Sequence, residues 1–561
     1  MDFDWIIVGG GSAGCVLANR LSAISRNRVL LIEAGPDRTG SHEDSRFRDI
    51  YPGRIAFDPE FLWQDIRQIN VGAESRKNAS SYEQARILGG GSAINGQVAN
   101  RGTPEDYDAW EIAGANGWNW KSVLPYFCKM ETDFSGTRHM HGNAGPIPIH
   151  RVPEDTWPEF SNAARQAFLD MGYPAIQDQN SEFSDGFFPL PLSNDGERRV
   201  STAHGYLTPE VRNRPNLTVL CNTEVVDLIW DGNRVLGVVA STPDGQTEIL
   251  ATATILSMGS IHSAAFLMKN GLGDPAKLQA IGITPKVSLP GVGANLQEHA
   301  GVSVSAYLHR EARNFKTRRH GVLGLRSSSN LPGCPNGDIY TMVMSKSAWH
   351  PLGDRIGTIL SWINKPFSRG DVSVLRNQDG HLITEAHFNL LGDQRDTERL
   401  MSQIRFLARC LRNDGFKGLV ADAGPSVYSG AAKALGTVSA LNHLATHLVS
   451  RTIDWLPALR AHILRTFMCS GFTLDKLLQD EAAMHAYLEQ TVFGQWHACG
   501  TCRMGPATDP LTVVSPLSAR VHGTAGLHLV DASVFPVIPA ANLNLPVIMV
   551  AEKFADQLLD Q

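Results

Sequence analysis

Asp4-Trp5-Ile6-Ile7-Val8-Gly9-Gly10-Gly11-Ser12-Ala13-Gly14 is an apolar strand running into a G-x-G-x-x-G turn, and Val29-Leu30-Leu31-Ile32-Glu33 is a second apolar run that closes on an acid. The order strand, glycine turn, helix, strand, acid predicts a β-α-β unit carrying a dinucleotide site. Gly9 allows the tight turn, Gly11 lets a pyrophosphate approach the backbone, and Gly14 lets the helix pack against the strand. The helix that begins near Ser12 and Ala13 turns its unpaired N–H groups and positive end towards the phosphates. Glu33, 19 residues after Gly14, stands where a carboxylate accepts hydrogen bonds from ribose hydroxyls. The motif alone also admits a nicotinamide dinucleotide.

The chain has 561 residues, too many for one simple core, and two intertwined domains are expected. A composition 43% hydrophobic and 19% charged is that of a globular protein. The net charge of −6 gives no electrostatic case for nucleic acid. Eight scattered cysteines suit a reduced, cytoplasmic enzyme rather than a disulfide scaffold. The first residues already read as the nucleotide-binding strand, leaving no room for a leader, and no uninterrupted apolar run of about 18 residues suggests a spanning helix. A cytoplasmic location is expected, with peripheral membrane contact open but not favoured.

A second glycine cluster, Arg86-Ile87-Leu88-Gly89-Gly90-Gly91-Ser92-Ala93-Ile94-Asn95-Gly96, exposes consecutive N–H groups that could cradle a phosphate or a flat ring. Residues 105–130 read as helical, with Trp110, Trp118 and Trp120 in the core. His139 and His141 have no third ligand nearby in sequence, so a polar loop is expected and no metal. Ala253 to Ser260 reads as a buried strand ending in Gly259-Ser260, and residues 300–400 alternate in strand fashion. The stretch 430–470 is helix-forming and apolar on one side, with His443, His447, Arg451, Arg460 and Arg465 interspersed. A packed helical pair is the default there; a lid, an oligomer contact or an interfacial membrane helix is the sharper alternative. Near the C-terminus come Gln495-Trp496-His497-Ala498-Cys499-Gly500-Thr501-Cys502, then Leu527 to Ser533, then Pro539-Ala540-Ala541-Asn542-Leu543-Asn544-Leu545-Pro546 opening a final helix. Cys499 and Cys502 have dithiol spacing but are read as packing residues.

Taken together, these segments resemble the glucose–methanol–choline (GMC) family of FAD-dependent oxidoreductases over the whole chain. The likeness rests on Val8 to Gly14 with Glu33, Gly89 to Asn95, Gly259-Ser260, Pro290-Gly291-Val292-Gly293, and Trp496-His497 with Asn542. Tyr82-Glu83-Gln84, Asn100-Arg101-Gly102, His141 to Ile149 and Ala541 to Pro546 are similar to hydroxymethylfurfural-oxidase-like members, with aryl-alcohol-oxidase-like members also resembled. Two departures stand out: Ala264 where the family commonly has proline, and Glu298 for the usual aspartate, neither expected to touch the chemistry. The stretch 430–470 also looks longer than in relatives.

The resemblance implies an α/β fold, with a Rossmann-like FAD-binding domain and a substrate domain on a mostly antiparallel sheet. It assigns 1–150, 205–300 and 485–561 to FAD, and 151–204 and 301–484 to substrate, the latter including the helical insert. It places cofactor contacts at Gly9, Gly11, Ser12, Ala13, Gly14, Glu33, Ala34, Arg86, Gly90, Gly91, Ser92, Asn95, Gly96, Val225, Gly259, Trp496, Asp531, Ala532, Asn542 and Asn544. His497 is the implied base and Asn542 a second polar catalytic residue. The implied reaction oxidises a primary benzylic, furanic or similarly activated alcohol to the aldehyde, or on to the acid, by proton abstraction and hydride transfer to flavin N5. With no histidine at Ala93-Ile94-Asn95, FAD is expected to be non-covalent. Oxygen or a quinone-type acceptor would complete the cycle. The alternatives are a dehydrogenase of aliphatic, polyol or polyether alcohols, a hydroxynitrile lyase without redox turnover, and a non-catalytic FAD-binding module.

Overall fold

The computed structural model describes residues 2–40, 43–72, 79–134, 139–242, 245–313, 315–427 and 430–560. The two apolar runs form the strands Phe3–Val8 and Val29–Ile32, paired in parallel with Trp5 beside Val29 and Val8 beside Ile32. Parallel neighbours need a crossover, and the helix Ser12–Ser22 supplies it, burying Val16, Leu17 and Leu21. Every residue of Val29–Ile32 is buried, which is why that strand reads as continuous rather than alternating apolar sequence. Gly14 is required where this helix meets the turn: a Cβ there would lie 1.9 Å from the Gly9 carbonyl oxygen.

Distant parts of the chain complete this sheet. Leu217–Leu220 pairs in parallel with Val29–Ile32, the end of Gly245–Leu256 with Phe3–Val8, and Leu527–Leu529 with Gly245–Leu256. The antiparallel strands Glu224–Asp231 and Arg234–Thr242 extend it to seven strands. The C-terminal helix Asn544–Leu559 packs along Ser12–Ser22, where buried Glu552 accepts from Arg20 (2.6 Å) and from the Tyr206 hydroxyl (2.8 Å).

A second seven-stranded sheet is antiparallel throughout. Its order is Val420–Ser426, Ala300–Leu308, Ile356–Ile363, Ile339–Met344, Gly321–Ser327, Gly186–Pro189, with Phe493–Gly494 pairing on Ala300–Leu308. Ala300–Leu308 and Ile356–Ile363 are buried at every position. The amphipathic helix Gln394–Leu411 packs on these strands, burying Leu400, Ile404 and Leu407. Alternate residues Ser303 and Ser305, and Thr358, Leu360 and Trp362, face a large cavity, as the two-residue period of a strand requires. Over 430–470 the chain forms three helices, Gly430–Gly436, Ala440–Trp455 and Pro457–Phe467.

His141 is not in a simple polar loop. It sits in a buried ionic cluster with Glu131 (2.8 Å), Asp133 (3.3 Å) and Asp178 (2.7 Å), so the expectation of no partner ligand nearby is corrected: Glu131 and Asp133 lie a short way back in the chain and the fold turns both onto the ring. Three carboxylates there meet Arg101, Arg151 and the imidazole: Arg101 binds Glu131, and Arg151 binds Asp133 and Asp178 at 2.8 Å each. The charges therefore balance without a cation. Burial pulls the imidazole down, but its hydrogen bonds to Asp178 and Glu131 outweigh that and raise it from 6.5 to about 9. A raised imidazole contributes stability that is complete below its unfolded value and lost as pH rises through the folded one. The thermal midpoint should therefore fall between pH 6.5 and about 9; His141→Gln should be less stable at pH 6 and lack that alkaline slope in calorimetric scans.

Candidate active site

Both glycine clusters meet at one place. Gly9 and Gly90 adopt φ of 103° and 51°, and a Cβ on Gly90 would lie 2.7 Å from the Gly11 Cα. Two backbones thus approach where any side chain would hold them apart. Ser12 donates to the Asn544 side-chain oxygen at 2.7 Å, so the helices Ser12–Ser22 and Asn544–Leu559 begin side by side. Neither has a side-chain cap, nor does Ser260–Lys269, which starts after Gly259 at φ 82°. Three helix N-termini with unpaired N–H groups therefore border one space suited to anionic groups.

That space is a cavity of about 1200 Å³. Gly9, Gly11, Ser12, Ala13, Glu33, Ala34 and Val225 line one part of it. Gly90, Gly91, Asn95, Gly96, Gly259, Asp531, Ala532 and Asn544 line more, together with Trp496, His497 and Asn542. Three of the residues singled out from sequence do not line it. Gly14 is consumed in helix–strand packing. Ser92 turns its hydroxyl to the Gly89 carbonyl at 2.6 Å, and the Arg86 guanidinium lies over Trp63, 5.1 Å from the ring centre. Glu33 accepts from the N–H groups of Gly10 (2.8 Å) and Gly35 (2.7 Å), bracing the turn; burial raises its pKa against those two hydrogen bonds. Asp531 does similar work, accepting from Gly259 N–H (2.9 Å) and the Ser263 hydroxyl (2.6 Å).

At the second sheet, His497 and Asn542 are in contact. The Asn542 side-chain oxygen accepts from Asn100 at 2.9 Å, which turns its amide N–H to His497 Nε2 at 3.0 Å. In that orientation Nε2 carries the lone pair and Nδ1 the proton. Nδ1 then donates to Nδ1 of His299 at 2.9 Å. Burial, then the neighbouring His299, hold His497 well below 6.5, and burial takes His299 down to about 3. Both imidazoles are neutral at pH 7, leaving a basic nitrogen and an amide donor 3.0 Å apart, able to share one hydroxyl oxygen. Trp496 holds φ at 59°, an uncommon left-handed conformation immediately before His497, and its indole N–H donates to Glu83 at 2.9 Å.

Glu298, which the sequence reading set apart from the chemistry, is built into this framework. Its buried carboxyl accepts from the backbone N–H groups of His299 (2.8 Å), Gln495 (3.2 Å) and His497 (2.9 and 2.8 Å). Burial pushes it up to about 8 even so. Asn100 and His299 also escaped the sequence reading. Asn100 lay in a family-like stretch with no assigned role, and His299 shares no spacing signal with residues almost 200 positions away. Cys499 and Cys502 are buried free thiols outside the cavity lining, and burial raises both.

The fold and cavity are those of a two-sheet flavoprotein, and comparison with known proteins agrees. The N-terminal GMC oxidoreductase model matches residues 3–301 and the C-terminal one residues 366–551. The chain is 40% identical to 5-(hydroxymethyl)furfural oxidase of Methylovorus sp. (strain MP688), covering 100% of this chain and 99% of that protein. It is 30% identical to the oxygen-dependent choline dehydrogenase of Photobacterium profundum, covering 99% and 93%. The solved pyridoxine 4-oxidase from Mesorbium loti superposes with a TM-score of 0.79 at 27% identity over 100% of this chain and 99% of that one. The chain belongs to the GMC oxidoreductase family. It is an FAD-dependent alcohol oxidoreductase working on a small-molecule substrate with an electron acceptor. The uncapped helix N-termini and the glycine cradle fit the flavin dinucleotide.

Replacing Glu298 by Ala strands the buried N–H groups of His299 and His497, each costing about 1–3 kcal/mol, and frees the half-buried one of Gln495. Glu298→Ala should melt earlier than the parent and, because small displacements of reacting groups cost up to about 10²-fold, should slow anaerobic flavin bleaching by substrate. An unchanged bleaching rate in stopped flow would contradict the positioning role.

Proposed function

We propose that this enzyme oxidises primary benzylic, furanic or similarly activated alcohols to aldehydes, with His497 as base and Asn542 as the second catalytic group. The observation that carries the reading is the 3.0 Å contact between His497 Nε2 and the Asn542 amide on the wall of the cavity that the glycine turns enter. FAD, when bound, supplies the hydride acceptor. The chain's own residues do the rest. His497 Nε2 takes the hydroxyl proton, its lone pair kept available by burial. The Asn542 N–H stabilises the developing alkoxide. The Asn100–Asn542 amide chain fixes the tautomer, and His299 Nδ1 accepts a hydrogen bond from the Nδ1–H.

Asn100 holds the Asn542 amide through its oxygen and accepts in turn from Gln179. Apolar Met342, Leu360 and Trp362 line the cavity, a setting that suits a planar aromatic alcohol better than a polyol. The 40% relative's named substrate is of this class, and a hydrated aldehyde presents the same hydroxyl for a second oxidation. Residues 1–150, 205–300 and 485–561 form the FAD part and 151–204 with 301–484 the substrate part. The cavity-lining glycine turns, Glu33, Gly259, Asp531 and Asn544 all fall in the first set, which supports that division. FAD is held without a covalent bond, since residues 89–96 contain no histidine. Oxygen is the favoured acceptor, as in the named oxidase and oxygen-dependent relatives, and the eight free cysteines suit a cytoplasmic setting.

His497→Ala should slow anaerobic flavin reduction by about 10²–10⁴-fold, and Asn542→Ala should raise the barrier by roughly 2–4 kcal/mol. Unchanged rates in both variants would remove the assignment. Acid precipitation should leave the yellow colour in the supernatant; colour in the pellet would mean a covalent flavin. Reoxidation faster by a quinone dye than by air would make the enzyme a dehydrogenase.

A further inference from the structure

The helices Ala440–Trp455 and Pro457–Phe467 have two working faces. The inner face roofs the cavity with Thr446, Val449, Ile463 and Leu464. The outer face carries Leu441, Leu444 and Leu448, spaced three and four residues apart and exposed by 79%, 57% and 59%. Trp455 is 82% exposed, and Leu456, Leu459 and Phe467 follow on the same helical elbow. Scattered exposed leucines are ordinary, but a run of large apolar side chains on one short segment marks an interaction surface.

The charges on this segment indicate what covers it. Asp454 is the single carboxylate between residues 430 and 472. It is engaged inward by Arg313 (2.8 Å), Arg355 (3.0 Å) and the Tyr307 hydroxyl (2.8 Å). Arg460 is likewise turned in, to Asp422 at 2.5 Å. Arg451, Arg465, His443, His447 and His462 remain exposed among the leucines. The face is therefore apolar and cationic on a chain whose net charge is −6. Its complement is an apolar surface bearing negative charge. A second copy would bring an equally cationic face against it. Helices of 16 and 11 residues are too short to span a bilayer, which needs about 20, and no helix among the described residues is long and apolar enough to cross one.

We propose that the outer face of the 440–467 helical elbow seats the enzyme on an anionic lipid surface, with Trp455 at the headgroup level and the leucines below it. Phe467 is both exposed and part of the cavity lining, so the cavity opens beside the seated face. An apolar alcohol or acceptor dissolved in the lipid would then reach the site without crossing water. The inference stands apart from the assignment of the catalytic residues.

The test uses the FAD-loaded enzyme and vesicles of phosphatidylcholine alone or mixed with phosphatidylglycerol. The parent should co-sediment with the mixed vesicles and at least tenfold less with the neutral ones. Leu444→Glu with Leu448→Glu should abolish binding while leaving turnover of a water-soluble alcohol unchanged. Arg451→Glu with Arg465→Glu, which leaves the apolar face intact, should weaken binding by at least about tenfold, as expected of basic residues near an anionic surface. Trp455 emission should shift to the blue on mixed vesicles and not in Trp455→Ser. Absence of binding to both vesicle types, or binding indifferent to both variant pairs, overturns the proposal. So does a dimer in light scattering that Leu444→Glu disperses, because the face would then be covered by a second copy.

Discussion

One buried carboxyl group joins the two halves of the candidate active-site framework. Glu298 precedes the central strand Ala300–Leu308 of the antiparallel sheet, and it gathers the backbone of residues 495–497 by their N–H groups. The loop beyond is stitched to the parallel sheet, with Gly500 N–H on Ala532 carbonyl and Cys502 N–H on Ser533 carbonyl. A group burying this much polarity is costly unless its hydrogen bonds are met. The strand, the loop and the end of the other sheet are thereby held to one arrangement.

The same logic governs the imidazole it positions. Desolvation keeps His497 neutral, the Asn100–Asn542 amide chain sets a donor against Nε2 and so leaves the proton on Nδ1, and His299 accepts from that Nδ1–H. Among the described residues no carboxylate side chain hydrogen-bonds to either ring, in contrast to a serine-protease triad. A neutral acceptor orients the ring without raising its basicity, which suits the base proposed for it.

Away from the chemistry, the segment 440–467 belongs to the cavity by its inner side and to the exterior by its outer side. The sequence reading favoured a packed pair there. Packing is real on one face only: Thr446, Ser450, Ile453 and Leu464 are buried, whereas Leu441, Leu444 and Trp455 are not.

Local sequence was enough for the Rossmann-like unit, because Gly9, Gly11, Gly14 and Glu33 act within one β-α-β turn and strand burial shows as continuous apolar runs. The motif at His497 and Asn542 was legible for the same reason, each residue lying in a recognisable short stretch. Other relations were not. Glu298 reaching His497, His299 contacting the same ring, Asn100 holding Asn542, and Asp178 closing on His141 all join residues remote in the chain. Arg86 and Ser92 sit beside a glycine turn in sequence, yet face away from the cavity because Trp63 and the Gly89 carbonyl claim their polar groups. The chain's order dictates which residues have chemistry to offer; burial and backbone direction, set only when distant strands pair, decide which of them meet.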